Sequence, residues 1–364
     1  MKTKSFFLSL LVLGFLALSC SKQNTLTNSN SAVSLKSSIT SGVQDLSTAM
    51  AAITTSTGYQ VVTGPTDLAT KSTVISPLDT TTHSILLTNI AGVYDYKATT
   101  IKRGSSLVLQ FFTKTATSTQ AIFRMPEEKV KASRSLLQYR PSDTLLVNNY
   151  TISLSDYQYR FALGNGWDYK MASTINIKNA DAGTLKIQSS NSPTLGYKYA
   201  SEYLFTNGYQ TKFNYTSGDT ANSTYSISNG TKTLYEEKYI AIRSKTDPRY
   251  RETTFSLQIG EVLIERELGP GYTLDSAKVY VSGVLQLKSK VEFVDKASTS
   301  TTDNCISNQK RELKITFDDG TSSTFTELAG SVITDITTLF AAMRQGSFAT
   351  RIIDWIAWDI YTKK

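Results

Sequence analysis

One histidine, His83, and two cysteines, Cys20 and Cys305, are all that 364 residues offer of two residue types that zinc sites and nucleophilic catalysis lean on. A Ser-His-Asp triad, a His-rich metal site and an HExxH zinc helix all need histidines that are not there. A thiol nucleophile at Cys305 has no neighbouring histidine base, and it sits in a polar loop after Asp303 and Asn304. GxSxG, Walker and GxGxxG motifs are absent. No run reaches 18 apolar residues, so no transmembrane helix is expected. Basic residues do not gather into a tract. The densest groups are Lys129, Lys131 and Arg134, then Arg243, Lys245, Arg249 and Arg251. Both are too short for a nucleic-acid footprint and read as solvated faces, with anionic lipid head groups or acidic glycans as the functional alternative. No nucleic acid, no cofactor and no metal is expected.

What is present begins at the first residue. Lys2 and Lys4 precede a 13-residue apolar stretch, Phe6 to Leu18, broken only by Ser9 and Gly14. As a helix it is about 20 Å long, short of the ~30 Å hydrocarbon core and well suited to a secretory leader. It ends Leu16-Ala17-Leu18-Ser19-Cys20. This resembles a bacterial lipobox, departing from the usual pattern where Ala17 stands in place of a leucine. The resemblance covers residues 1–20 and implies cleavage after residue 19 and acylation of Cys20. Two or three chains on one residue hold a protein at a membrane, since each buried CH₂ contributes about 0.8 kcal/mol. Cys305 then has no partner for a disulfide, and the core must hold the fold. Losing residues 1–19 leaves 36 basic and 30 acidic residues, a formal charge of +6. Ser21 follows the cysteine, and no acid occurs in Ser21-Lys22-Gln23-Asn24. By analogy with lipoprotein sorting signals, the periplasmic face of the outer membrane is favoured over the cell surface.

Residues 20–32 read as a lipidated, polar tether. Over 33–57 an amphipathic helix is expected. Leu35, Ile39, Val43, Leu46, Met50 and Ile53 form one stripe, and Gly58 is the stop signal. Residues 58–328 read as a β body. Tyr157, Tyr159, Phe161 and Leu163 alternate with polar residues, Asn165-Gly166 supplies a type I′ turn, and Trp167, Tyr169, Met171, Ile175 and Ile177 return. Asn207-Gly208, Asn229-Gly230 and Asp319-Gly320 mark further turns. Short turns imply antiparallel neighbours, and about ten or more strands must curl or split. The fold class is therefore mainly β: a long antiparallel meander forming a barrel, half-barrel or two-layer sandwich, with an N-terminal helix and, over 329–364, C-terminal helices packing on the β body. Val332, Ile333, Ile336, Leu339, Phe340 and Met343 form one stripe there. Phe348, Ile352, Ile353, Trp355, Ile356, Ala357 and Ile360 make a broader one.

The leading function is non-catalytic binding or a structural role at the envelope. The order helix, meander, covering helices is similar in outline to LolA-type half-barrel lipoprotein carriers. That resemblance implies an apolar ligand in a cavity between sheet and helices, of some 300 to 1,000 Å³. A glycan ligand is the other class, with Tyr197, Tyr199, Tyr203 and Tyr209 as candidate platforms. A carboxylate-based glycan hydrolase is the third reading; it needs two acids facing each other about 5 to 9 Å apart. The adjacent pairs Glu127-Glu128, Glu236-Glu237 and Asp318-Asp319 are weak candidates because strand neighbours point to opposite faces. Four short stretches resemble an O-glycan acceptor: Asp79-Thr80-Thr81, Asp143-Thr144-Leu145, Asp219-Thr220-Ala221 and Asp275-Ser276-Ala277.

Overall fold

The structure, a computed structural model, describes residues 34–63, 83–100, 109–131, 139, 141–162, 164–244, 251–268, 277–295, 311–345 and 348–362. The leader, Cys20, the tether over 20–32 and Cys305 lie outside the described residues.

The apolar stripe near the start becomes α1, Leu35–Thr54, which buries Leu35, Ile39, Val43, Leu46, Met50 and Ile53. Each such side chain contributes roughly 1.5 to 3 kcal/mol when fully buried. The helix ends at Thr54, earlier than expected, and Gly58 is not its stop. Ser56 caps a second helix, α2, Thr57–Val62, by accepting a hydrogen bond from the Tyr59 N–H. Gly58 lies inside α2, where a Cβ would fall 2.4 Å from the Ala182 carbonyl oxygen and 2.8 Å from the Tyr203 ring. The residue is a glycine so that α2 can lie against the sheet.

The strands are β1 His83–Leu86, β2 Gly92–Tyr96, β3 Phe112–Ala116, β4 Ala121–Met125, β5 Tyr150–Ala162, β6 Gly166–Ile177, β7 Ala180–Ser192, β8 Gly196–Leu204, β9 Tyr209–Thr216, β10 Thr220–Asn229, β11 Lys232–Arg243, β12 Arg251–Ile259, β13 Val262–Leu268, β14 Lys278–Val281 and β15 Val284–Leu285. They make one 15-stranded sheet in the order β15 back to β4 without interruption, then β2 and β3, with β1 paired to β5. The meander from β4 to β15 is antiparallel throughout. The pairing of β2 with β4 is parallel, so the body is not antiparallel everywhere. Among the described residues the end strands β3 and β15 do not pair with each other: the sheet is long and open, not a closed barrel. A second sheet of three strands, β16 Lys290–Asp295, β17 Arg311–Thr316 and β18 Ser322–Thr324, joins it through a bridge between Ala277 and Val291.

Short helices α3 Leu87–Ile90, α4 Glu127–Lys131 and α5 Phe325–Ala329 interrupt the strands, and α6 Val332–Gln345 and α7 Phe348–Thr362 close the chain. Helices cover one face of the large sheet. On that face Tyr225 and Tyr235 meet Phe340 of α6, Tyr199 bonds the Met343 carbonyl of α6, and Tyr157 bonds Asp354 of α7. One continuous core runs between sheet and helices. Of the two expected stripes, Ile336, Leu339, Phe340 and Met343 of α6 and Ile352, Ile353, Ile356 and Ala357 of α7 are buried in it. No described helix is long and apolar enough to cross a membrane.

The turns fall where expected, but the type I′ geometry expected at Asn165-Gly166 is not what forms there. At Asn165-Gly166, Asn207-Gly208, Asn229-Gly230 and Asp319-Gly320, only the glycines hold positive φ. Asn207-Gly208 and Asp319-Gly320 belong to three-residue loops. In them the glycine N–H bonds back to Phe205 and Phe317, respectively, a type I turn followed by a left-handed glycine. Two-residue turns with positive φ at both positions occur instead at Lys178-Asn179 (φ 52° and 63°) and Ser282-Gly283 (φ 49° and 80°).

Candidate functional site

Between β10–β12, β17, α5 and α6 lies a cleft of about 460 Å³. Its sheet wall is Tyr225, Tyr235, Phe255 and Leu257. Its helix wall is Phe325, Ile333, Ile336 and Phe340, and Leu313 of β17 closes the end. The register explains the sheet wall. Glu237 faces Tyr225 on one side and Leu257 on the other, so all three share the covered face. Glu237, Glu312, Thr326 and Thr337 give the cleft its polar groups. Glu237 accepts a 2.9 Å hydrogen bond from Tyr235, and Glu312 accepts one of 3.2 Å from the Thr326 N–H. Burial, with the Glu237 carboxylate second, pushes the Tyr235 hydroxyl well above its usual range, so it stays a donor to Glu237. The site is an apolar slot with a hydrogen-bonding rim.

The periodicity predicts that the strand-borne aromatics are core, and it marks Phe340, Ile333 and Ile336 as one helical stripe. No local signal marks the cleft, because its lining comes from β10–β12, β17, α5 and α6 together. Glu237 is visible in the sequence only as half of Glu236-Glu237. The two point to opposite faces, and Glu237 finds its counterpart at Glu312, 75 positions away.

The four tyrosines named as platforms are not brought together. Tyr203 is fully buried and donates to the Ala182 carbonyl at 3.0 Å. Tyr199 is half-buried, its hydroxyl on α6 at 3.2 Å. Tyr209 is half-buried beside its turn. Tyr197 stands with Trp167 and Tyr215, 6.0 Å from each ring.

Other candidates are accounted for by local structure. His83 packs edge-on against Trp358 of α7, 5.4 Å between ring centres. Glu127 is buried and pairs with Lys178 at 3.0 Å, while Glu128 is exposed. Asp319 accepts from the Thr321 hydroxyl and N–H and then from Lys36, which hold its carboxyl down at about 2; it serves the turn. Lys129 is not part of a surface patch: it is buried against Asp143, and Thr144 beside them bonds the Pro141 carbonyl. Arg243 pairs with Asp219 at 3.3 Å, while Lys245 and Arg249 lie outside the described residues. Thr220 of the acceptor-like Asp219-Thr220-Ala221 is exposed at the start of β10, and Asp79-Thr80-Thr81 and Asp275-Ser276 lie outside the described residues. Among the described residues no group of three or more metal-ligating side chains converges.

The sequence matches no family model and no curated protein, and no solved structure matches the chain.

Proposed function

We propose that this chain is a bacterial cell-envelope lipoprotein, held to the outer membrane by acyl chains on Cys20 on its periplasmic face, whose β body binds a small amphipathic ligand. The first 20 residues support the address: a basic start, a short apolar stretch and a cysteine at its end. The cleft beside Phe340 carries the binding half. It has the volume and lining of a ligand site, and it lies between sheet and helices, where a carrier of an apolar molecule needs it. The rim of Glu237, Thr326 and Thr337 meets the ligand's hydrogen-bonding end, and the Phe, Ile and Leu walls meet its apolar body.

The test uses the full chain purified in a non-ionic detergent and a neutral apolar fluorophore, N-phenyl-1-naphthylamine. Saturable binding that an Ala341→Trp substitution weakens at least tenfold supports the reading. Ala341 lines the cleft from an exposed helix position, so the indole narrows the slot without entering the core. Equal binding by both proteins overturns it.

A carboxylate-based glycan hydrolase is the second reading, supported by Glu237 and Glu312 lining one cleft from different sheets. Hydrolysis of an aryl glycoside, abolished by Glu237→Gln, is what it requires.

A further inference from the structure

Beyond the helices, the covered face of the large sheet continues as a band of aromatic side chains. Trp167 is on the same face as Tyr169 and Met171, Tyr197 on that of Tyr199, Tyr215 on that of Phe213, and Tyr239 on that of Tyr235. The register brings them into neighbouring rows. Asn191 lies between Trp167 and Tyr197. Tyr199 lies opposite Tyr215, and Ser223 lies between Tyr215 and Tyr239. Trp167, Tyr197 and Tyr215 touch in sequence, each ring centre 6.0 Å from the next. All three are half-buried, and Tyr239 is 44% exposed. The band crosses from β6 to β11, roughly 24 Å at the usual strand spacing.

Its chemistry differs from the other face of the same strands. There, Asp168, Lys170, Lys198 and Lys238 make an ordinary solvated surface. On the aromatic face, the positions between the rings are Ser189, Asn191, Ser223 and Ala221, all uncharged; the charges on this face of β11 are Glu237, bonded by Tyr235, and Arg243, paired with Asp219 at the end of the strand. An anionic partner such as a nucleic acid would need cations here. A membrane-surface element would pair its aromatics with lysine or arginine and aliphatics. A protein interface would centre on a continuous apolar patch, which hydroxyls and an amide here interrupt. Rings bordered by hydroxyl and amide groups fit a ligand with flat C–H faces and an equatorial rim of hydroxyls.

We propose that this band binds a neutral polysaccharide, laid across β6 to β11 with successive sugar rings on Trp167, Tyr197, Tyr215 and Tyr239. Asn191 and Ser223 hydrogen-bond sugar hydroxyls between them. At Tyr239 the band adjoins the cleft, whose Phe255 lies opposite it, but sugar binding does not depend on the cleft ligand.

The test is affinity electrophoresis of the full chain in non-ionic detergent. The gels contain a mixed-linkage β-glucan, an α-glucan, a galactomannan or a xylan, with polygalacturonate as the charged control. At least one neutral polymer is expected to retard the protein and polygalacturonate is not. Trp167→Ala with Tyr197→Ala weakens that retardation at least tenfold, and Tyr239→Ser alone weakens it measurably. Tyr239 is exposed, so its loss does not threaten folding, and the single variant keeps the test decisive if the double variant misfolds. The proposal fails if no neutral polymer retards the protein, or if retardation survives all three changes. It also fails if the variants lose only flotation with phosphatidylethanolamine–phosphatidylglycerol vesicles or capture by a protein partner, which would make the band a membrane or protein surface.

Discussion

Tyr157 on β5 donates a 3.0 Å hydrogen bond to the carboxyl of Asp354 on α7, across 197 residues of chain. The Tyr169 hydroxyl on β6, which donates to Met171 Sδ at 3.6 Å, and the Tyr159 hydroxyl stand near enough to feel the Asp354 charge. Burial is the larger effect: it lifts the Asp354 carboxyl to about 7, against the pull of the Tyr157 donor and the nearby Tyr169 hydroxyl. An acid in the helix layer therefore ties the last helix to the sheet.

That pairing predicts a pH dependence. The folded protein holds a proton on Asp354 up to about pH 7, whereas the unfolded chain releases it near pH 4. Stability from this group is full below pH 4 and falls as pH rises through 7. Urea unfolding is expected to show a loss of about 1 to 3 kcal/mol between pH 4.5 and pH 8. Asp354→Asn keeps an acceptor for Tyr157 and should flatten the profile, making the variant the more stable protein at pH 8. Parallel profiles for the two would assign the titration elsewhere.

Gly58 predicts a packing cost. A methyl group there meets the Ala182 carbonyl and the rings of Tyr203 and Phe205 at under 3 Å. Gly58→Ala should lower the unfolding free energy by about 1 to 3 kcal/mol, despite alanine's better helix propensity. A stabilised variant would mean that α2 does not press on β7.

Lys129 and Asp143 form a buried ion pair, 3% and 7% exposed. Lys129→Met leaves a carboxylate without its nearby cation and should cost about 3 to 5 kcal/mol, whereas adding Asp143→Asn should recover much of it. Thermal denaturation of the three proteins reads this directly. Equal loss in single and double variants would assign the cost to packing instead.

Cys20→Ser predicts loss of the membrane address. The wild-type chain should float with membranes and carry diacylglyceryl mass at its N-terminus. The variant should be unacylated and recovered in the aqueous fraction. A variant that still floats, without lipid on residue 20, would remove the lipoprotein assignment.

Much of the architecture is written in period and punctuation. Leu35 through Ile53 declare α1, the alternation of Tyr157 with Gln158 declares β5, and the four glycines after Asn or Asp place hairpins where they occur. The turn types are less legible. Asn207 and Asp319 sit in right-handed backbone, and the true two-residue turns, Lys178-Asn179 and Ser282-Gly283, include residues that do not ordinarily favour positive φ. Sheet register holds these turns closed, and register is a property of two strands rather than of one. The parallel pairing of β2 with β4 joins segments about 30 residues apart and leaves no local mark. The cleft is illegible for the same reason: Tyr225, Glu237, Glu312 and Phe340 meet only after two sheets and a helix are in place. Residues 1–20 are the opposite case, since their reading needs no tertiary contact.

The most direct test of the binding role is what the cleft holds when the protein leaves the cell. Full-length protein and its Ala341→Trp variant, purified identically, would be extracted with organic solvent and the extracts compared by mass spectrometry. The account predicts a small amphiphile in near-stoichiometric amount from the wild-type protein, depleted at least fivefold in the variant. Identical extracts from both, or no bound molecule in either, would contradict it.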